Sequence, residues 1–279
     1  MSGLTIIHIS DLHIGEEAGQ GTDWYQSAKQ TARSLADDIA DVARTYQVPF
    51  SARETYIICT GDLTHSHELS EFDVALCFFR ELQDTFRQEL QEDRIPSQHI
   101  ICIPGNHDIE ISPHDYARAS NMAESPRAKY RNFMLFLAEV TECAEFACRF
   151  TRQAPFVNVT LSVPFVTRIV DLNSCFAINS YDKTGQCGTM PVLTKQHLEA
   201  LSPLLRDSNA VLKVALMHHR FDDIVAEDPT GREIVCPAEL RGRLVEAGFG
   251  FVLCGHGHVA SGELTRSIYH KEGIHELST

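Results

Sequence analysis

Short apolar runs rich in Val, Ile and Thr recur along the chain, separated by longer stretches of helical periodicity. The runs are residues 4–10 (LTIIHIS), 55–60 (TYIICT), 99–104 (HIICIP), 157–163 (VNVTLSV), 174–179 (SCFAIN), 211–217 (VLKVALM) and 250–254 (GFVLC). Their length and β-branched content predict strands. Helices are predicted over 24–47, 69–91, 128–149, 194–206 and 237–247. In the second of these, Phe72, Ala75, Leu76, Phe79 and Leu82 recur at helical spacing and mark the side that faces the core. Strand–helix alternation of this kind builds βαβ units and a largely parallel sheet, which makes the fold class α/β. The strands are apolar almost throughout, so both sheet faces have to be covered.

The segment 110–156 interrupts the alternation and reads as a helical insertion on a single domain spanning 1–279. The closing GIHELST resembles the start of another strand, so the chain is expected to be trimmed there or to belong to a longer protein. A chain of 279 residues can bury one large core. No run approaches the roughly 18 uncharged apolar residues of a membrane span, and the N-terminus lacks the basic start of a secretory leader. The formal charge of −14 opposes non-specific attraction to DNA or to anionic membrane. Residues 110–170 depart from this, with seven basic and six acidic side chains. That stretch is either a solvated helical segment or a surface for an anionic substrate or partner, and its 110–156 part is the expected place for a partner protein or a second copy of the chain. None of the nine cysteines stands in a CxxC pair, which argues against thiolate zinc and redox motifs and fits a reducing, cytoplasmic compartment.

The chemistry concentrates in five short elements, four of which directly follow a predicted strand. They are Asp11-Leu12-His13, Gly61-Asp62, Gly105-Asn106-His107-Asp108, His218-His219 and Gly255-His256-Gly257-His258. Loops at the C-terminal ends of strands are where α/β sheets build sites. Extended backbone would send Asp11 and His13 to the same side, and likewise His256 and His258. Each element alone is weak evidence: a single DxH is surface decoration more often than not. All five in one chain, offering only N and O ligands, point to a metal centre.

The motifs SDLH (10–13), GDLT (61–64), GNHD (105–108), MHH (217–219) and GHGH (255–258), in this order, resemble the calcineurin-like metallophosphoesterase superfamily. The resemblance runs from Ile6 to about Val259. It implies a four-layer αββα sandwich with two mixed β-sheets. It also implies two divalent metal ions: Asp11, His13 and His258 on the first, Asn106, His218 and His256 on the second, and Asp62 bridging. His107 would stabilise charge or protonate the leaving oxygen, with Asp108 orienting its ring. His219 would touch substrate or support the ligand beside it; Arg220, where many relatives have proline, would lie near the phosphate. His65 and His67 follow the bridging aspartate and are either exposed loop residues or substrate contacts. The donor set suits Mn²⁺, Fe, Zn²⁺, Co²⁺ or Ni²⁺, with Mn²⁺ favoured on the resemblance. The implied reaction is phosphoester hydrolysis by attack of a metal-bridging hydroxide.

Size, GNHD and GHGH resemble class III cyclic-nucleotide phosphodiesterases, so a small phosphodiester is the expected substrate. SDLHIG also resembles repair exonucleases of the same superfamily. The alternative is therefore a DNA or RNA nuclease serving as the catalytic module of a larger assembly, with nucleic acid entering only as substrate. A catalytically silent binding scaffold is the third reading, and the intact ligand set speaks against it.

Overall fold

The computed structural model describes residues 3–15, 23–48, 50–110, 129–143, 156–161, 165–175, 199, 209–224, 235–257, 267–271 and 274–278. Three parallel strands form one sheet in the order β1 (Thr5–Ile9), β2 (Thr55–Cys59), β3 (Ile100–Cys102). The second sheet runs β4 (Phe156–Leu161), β5 (Thr167–Leu172), β6 (Leu212–Leu216), β7 (Phe251–Cys254), β9 (Ile274–Ser278), β8 (Ser267–Lys271). Its centre, β5-β6-β7-β9, is parallel, and antiparallel β4 and β8 flank it.

Alternation along the strands sorts side chains into layers. Tyr56, Ile58, Ile101 and Ile103 of the first sheet meet Ile169, Val214, Leu216 and Leu253 of the second. The opposite face of the first sheet, including Ile57, Cys59 and Cys102, packs under α1 (Trp24–Thr45), α2 (Leu69–Leu90) and α3 (Arg131–Val140). The opposite face of the second, including Val170, Leu172, Ala215 and Val252, packs under α4 (Pro237–Glu246). The result is the expected four-layer αββα sandwich, with the second sheet mixed as expected and the first, among the described residues, parallel throughout.

The Asp23 side chain caps α1 by accepting from the Gln26 N–H at 3.2 Å. The buried face of α1 is a stripe of Ala28, Ala32, Ala36, Ala40 and Ala43, small enough for close approach to α2. Arg33–Glu81 at 2.6 Å and Arg44–Glu89 at 2.9 Å tie the two helices along their exposed edge. On α2, Phe72, Ala75, Leu76, Phe79 and Leu82 are buried as predicted, and Val74, Phe78 and Phe86 widen that face. Phe133, Phe136 and Leu137 of the apolar run in α3 are core, while Leu135 is exposed; Phe133 and Phe136 pack on Phe72 at ring distances of 6.3 and 5.6 Å.

Two expectations need correcting. The strand predicted at 174–179 is not there in its described part: Ser174 and Cys175 lie in a turn, and the strand is β5, at Thr167–Leu172. Arg168 and Asp171 break its apolar pattern in sequence, yet its other residues are buried on both faces. The helix predicted over 128–149 is shorter, at Arg131–Val140. Of the helix predicted at 194–206 only Glu199 is described, in helical conformation, and most of the 110–156 insertion lies outside the described residues. No described helix is long and apolar enough to cross a membrane.

Candidate metal centre

Five parallel strands end at the same edge of the sandwich, and each predicted motif begins where one stops. Asp11 and His13 follow β1, Asp62 follows β2, Asn106 to Asp108 follow β3, His218 and His219 follow β6, and His256 follows β7. The backbone there is not extended as expected. Asp11 (φ 57°), His13 (φ 42°), Asp62 (φ 52°) and His256 (φ 61°) are all left-handed. Such conformations cost about 1–3 kcal/mol each outside glycine and persist only where the surroundings over-determine them. The surroundings do so here: Asp11 N donates to Gly61 O, His13 N to Asp62 O and Ile14 N to Leu63 O, each at 3.0 Å. Gly61 (φ +100°) allows the crossing of loops, since a side chain there would run into the backbone of Gly105.

Asp62 lies at the centre and is fully buried. Its Oδ1 accepts from the His107 N–H at 2.9 Å. Its Oδ2 carries no hydrogen bond and lies 3.7 Å from His13 Nε2 and 3.1 Å from His218 Nε2. Asp11 Oδ1 is 3.9 Å from His13 Nε2, and both Asp11 oxygens accept from the His256 N–H at 3.1 Å. Donor atoms of Asp11, His13 and Asp62 therefore converge on one point. On the other side, His218 Nε2 meets Asn106 Oδ1 at 3.0 Å, and the His256 ring lies 5.1 Å from that of His218.

His218 makes the chemistry explicit. Its Nδ1 lies 2.8 Å from the Thr60 carbonyl, which only accepts, so Nδ1 carries the hydrogen. Nε2 then directs a lone pair at Asp62 Oδ2 and Asn106 Oδ1, two further acceptors. Three acceptors meeting in a buried space call for a cation. Without one, a proton takes the place: burial disfavours charge on His218, but facing Asp62 raises it to about 9. Burial would likewise raise Asp62, yet the facing His218 holds it well below the usual carboxylate range. Burial, followed by the charge on His218, lowers His256 to about 4 and favours the neutral imidazole, the form that can ligate a metal. These side chains thus suit divalent metal binding, with Asp62 and the histidines around it as candidate ligands.

The NHD turn divides its work differently from expectation. Asp108 does not orient His107. It accepts from the backbone N–H groups of Gly105 (2.9 Å), Leu63 (3.3 Å) and Thr64 (3.0 Å), clamping the two ligand loops together. Burial, and then the charge of Asp62, raise its carboxyl to about 6 against those three donors. The His107 ring is set instead by the carbonyl of His65, 2.7 Å from Nδ1. The His65 ring stacks on His107 at 5.6 Å, and the His13 ring meets His107 edge-on at 4.9 Å.

The remaining predicted residues separate. His219 is buried beside His256, ring to ring at 4.5 Å, and is held by Ser174, whose Oγ lies 2.9 Å from Nδ1 and accepts from the backbone N–H at 3.2 Å. Arg220 forms a bidentate pair with Asp223 at 3.1 and 3.2 Å. His67 meets α3 through its backbone, its carbonyl accepting from Asn132 at 3.0 Å. His258 lies outside the described residues. Sequence reasoning missed Ser174, Thr60 and Glu71: a serine, a threonine and a helix-start glutamate carry no motif signal.

Residues 4–260 match the family model described as calcineurin-like phosphoesterase. Among solved structures, the chain is similar to Termus thermophilus sulfate thiohydrolase SoxB in complex with glycerol, at 14% identity and a TM-score of 0.45. That match covers 100% of this chain and 52% of SoxB, so the chain spans about half the length of that protein. A comparison with curated proteins found no match. With the family model matched over nearly its whole length, the chain belongs to the calcineurin-like phosphoesterase family.

Proposed function

We propose that this chain hydrolyses a small phosphodiester, such as a cyclic nucleotide, on two divalent metal ions. The observation that carries the reading is Asp62 Oδ2: buried, without a hydrogen bond, and faced by His13 Nε2 on one side and His218 Nε2 on the other. Asp11, His13 and His258 would hold the first ion, Asn106, His218 and His256 the second, and Asp62 would serve both. Mn²⁺ is the favoured ion, and Fe, Zn²⁺, Co²⁺ or Ni²⁺ suit the same N and O donors. When bound, the pair supplies an activated water and neutralises the phosphoryl oxygens.

The chain's own residues do the rest. His107 keeps Nδ1–H on the His65 carbonyl, which leaves Nε2 for the leaving oxygen. Asp108 locks the loops that carry Asp62 and Asn106. Ser174 fixes His219, whose ring backs His256. An acidic protein of net charge −14 suits a small anionic substrate drawn to a local cationic centre better than a long polyanion. The cysteine usage supports a cytoplasmic setting.

The test is turnover of 3′,5′-cyclic AMP beside a single-stranded oligonucleotide, using Mn²⁺-loaded protein with EDTA and His107→Ala controls. EDTA-sensitive hydrolysis of the cyclic nucleotide is expected. Cleavage of the oligonucleotide alone would replace this reading with the nuclease. Full metal loading with neither activity would overturn both.

A further inference from the structure

Glu71, in the first turn of α2, is a buried carboxylate at 3% exposure that the mechanism above does not use. Its Oε2 accepts from the Ser66 N–H at 2.9 Å and the Glu68 N–H at 3.2 Å, and its Oε1 accepts from Ser66 Oγ at 2.8 Å. The first of these bonds matters most. Ser66 N–H and the His65 carbonyl belong to the same peptide group, and that carbonyl holds His107 Nδ1 at 2.7 Å. One amide plane therefore has a carboxylate at its N–H end and the imidazole at its C=O end. Two further contacts fix the relay. His65 N donates to Ile14 O at 3.0 Å, and Gly15 packs so closely on Glu71 Oε1 that any side chain there would collide with it.

We infer that Glu71 is a positioning residue for His107, acting through the peptide group between His65 and Ser66. The inference rests on the reading of His107 as the donor to the leaving oxygen. The physics is that of a histidine–carboxylate pair with a peptide inserted. A negative charge on the amide N–H polarises the amide and strengthens its carbonyl as an acceptor. The stronger acceptor fixes the orientation of the ring, with Nδ1–H held on the carbonyl. As the P–O bond breaks, the Nε2 proton passes to the leaving oxygen. The ring is left neutral, its remaining proton still on Nδ1 and directed at His65 O. Solvent restores the Nε2 proton. Asp108, which the sequence suggests for this duty, is committed to three backbone N–H groups.

The test is Glu71→Gln, which keeps the shape against Gly15 and removes the charge. Metal-loaded wild type, Glu71→Gln and His107→Ala are compared on 4-nitrophenyl and alkyl phosphodiesters. The first group leaves well without a proton; the second needs one. Glu71→Gln is expected to lower kcat for the alkyl ester about 10-fold, as loss of an orienting partner does. It should lower kcat for the 4-nitrophenyl ester less than about 2-fold, with KM and bound metal unchanged, because that leaving group draws little on proton donation. In proton NMR spectra, the downfield His107 Nδ1–H signal, identified by its absence in His107→Ala, should move upfield in Glu71→Gln. Equal losses on both esters with an unmoved signal would overturn the inference, since a merely structural glutamate would do that. If Glu71→Gln fails to fold, Ser66→Ala, which removes only the hydroxyl contact, should show the same ester bias in weaker form; no bias there would equally overturn it. Should His107→Ala itself show no ester bias, the assignment of His107 as proton donor fails, and that outcome is separate from a failure of Glu71.

Discussion

At the scale of single residues, Asp62 and His107 sit side by side and are expected to fail differently. Asp62 offers Oδ2 to both halves of the centre, whereas His107 offers its backbone N–H to Asp62 and its ring to the open side. Asp62→Ala should therefore bind less than one metal equivalent in elemental analysis. His107→Ala should keep its metal and lose about 10²–10⁴-fold in kcat. Equal metal loss in both would contradict this division. His8 gives a prediction of another kind. It lies within β1 with Nε2 2.9 Å from Thr60 Oγ1, and burial lowers it to about 4. In the unfolded chain it titrates near 6.5, so between pH 6.5 and 4 the unfolded state binds the extra proton. Its contribution is complete above pH 6.5 and is lost on acidification toward pH 4. Urea titrations at pH 7.5 and 5 should show a loss that is smaller in His8→Gln by on the order of 1 kcal/mol, allowing for partial exposure.

At the scale of elements, the alanine stripe of α1 explains how two long helices share one sheet face. Ala32, Ala36 and Ala40 are fully buried and bring α1 close to α2. Ala36→Leu should destabilise by about 1–3 kcal/mol, read as a lower urea midpoint at unchanged slope, because the added methylenes have no space to enter. The strands that carry the motifs were legible for a related reason. β1, β2, β3, β6 and β7 are short and mostly apolar, and each runs within three residues into a glycine, aspartate or histidine. β5 was not legible: Arg168 and Asp171 interrupt its apolar pattern, and its register between β4 and β6 is set by those neighbours. β8 escaped for the same reason, with SIYHK offering little apolar signal of its own.

At the scale of the whole molecule, the candidate centre joins the two sheets. Asp11, Asp62 and Asn106 stand on loops of the first sheet, His218 and His256 on loops of the second, and the His256 N–H already bonds to Asp11 across the seam. A metal pair held by both sheets would bind the folded state alone and stabilise it by mass action. Mn²⁺ at about 100 times its dissociation constant should add about 2.7 kcal/mol. Thermal melting should show a rise in Tm on metal addition, its reversal by EDTA, and no response in Asp62→Ala. A Tm indifferent to metal in the wild type would argue against a centre shared by the two sheets.

The sequence by itself determined the alternation of strands and helices and the position of the candidate donors at strand ends. Strand and helix periodicities are local, and the motifs are contiguous groups of two to four residues at strand ends. What only the tertiary structure decided is how those groups face each other. Left-handed backbone at Asp11, His13, Asp62 and His256 aims the ligands, and it is held by hydrogen bonds between loops far apart in the chain. The supports are likewise non-local. Asp108 clamps Leu63 and Thr64 rather than its neighbour His107, and Ser174 holds His219 across 45 positions. Glu71 reaches His107 through someone else's peptide bond. A donor type is written in one residue; a hydrogen-bond partner exists only once the chain has closed on itself.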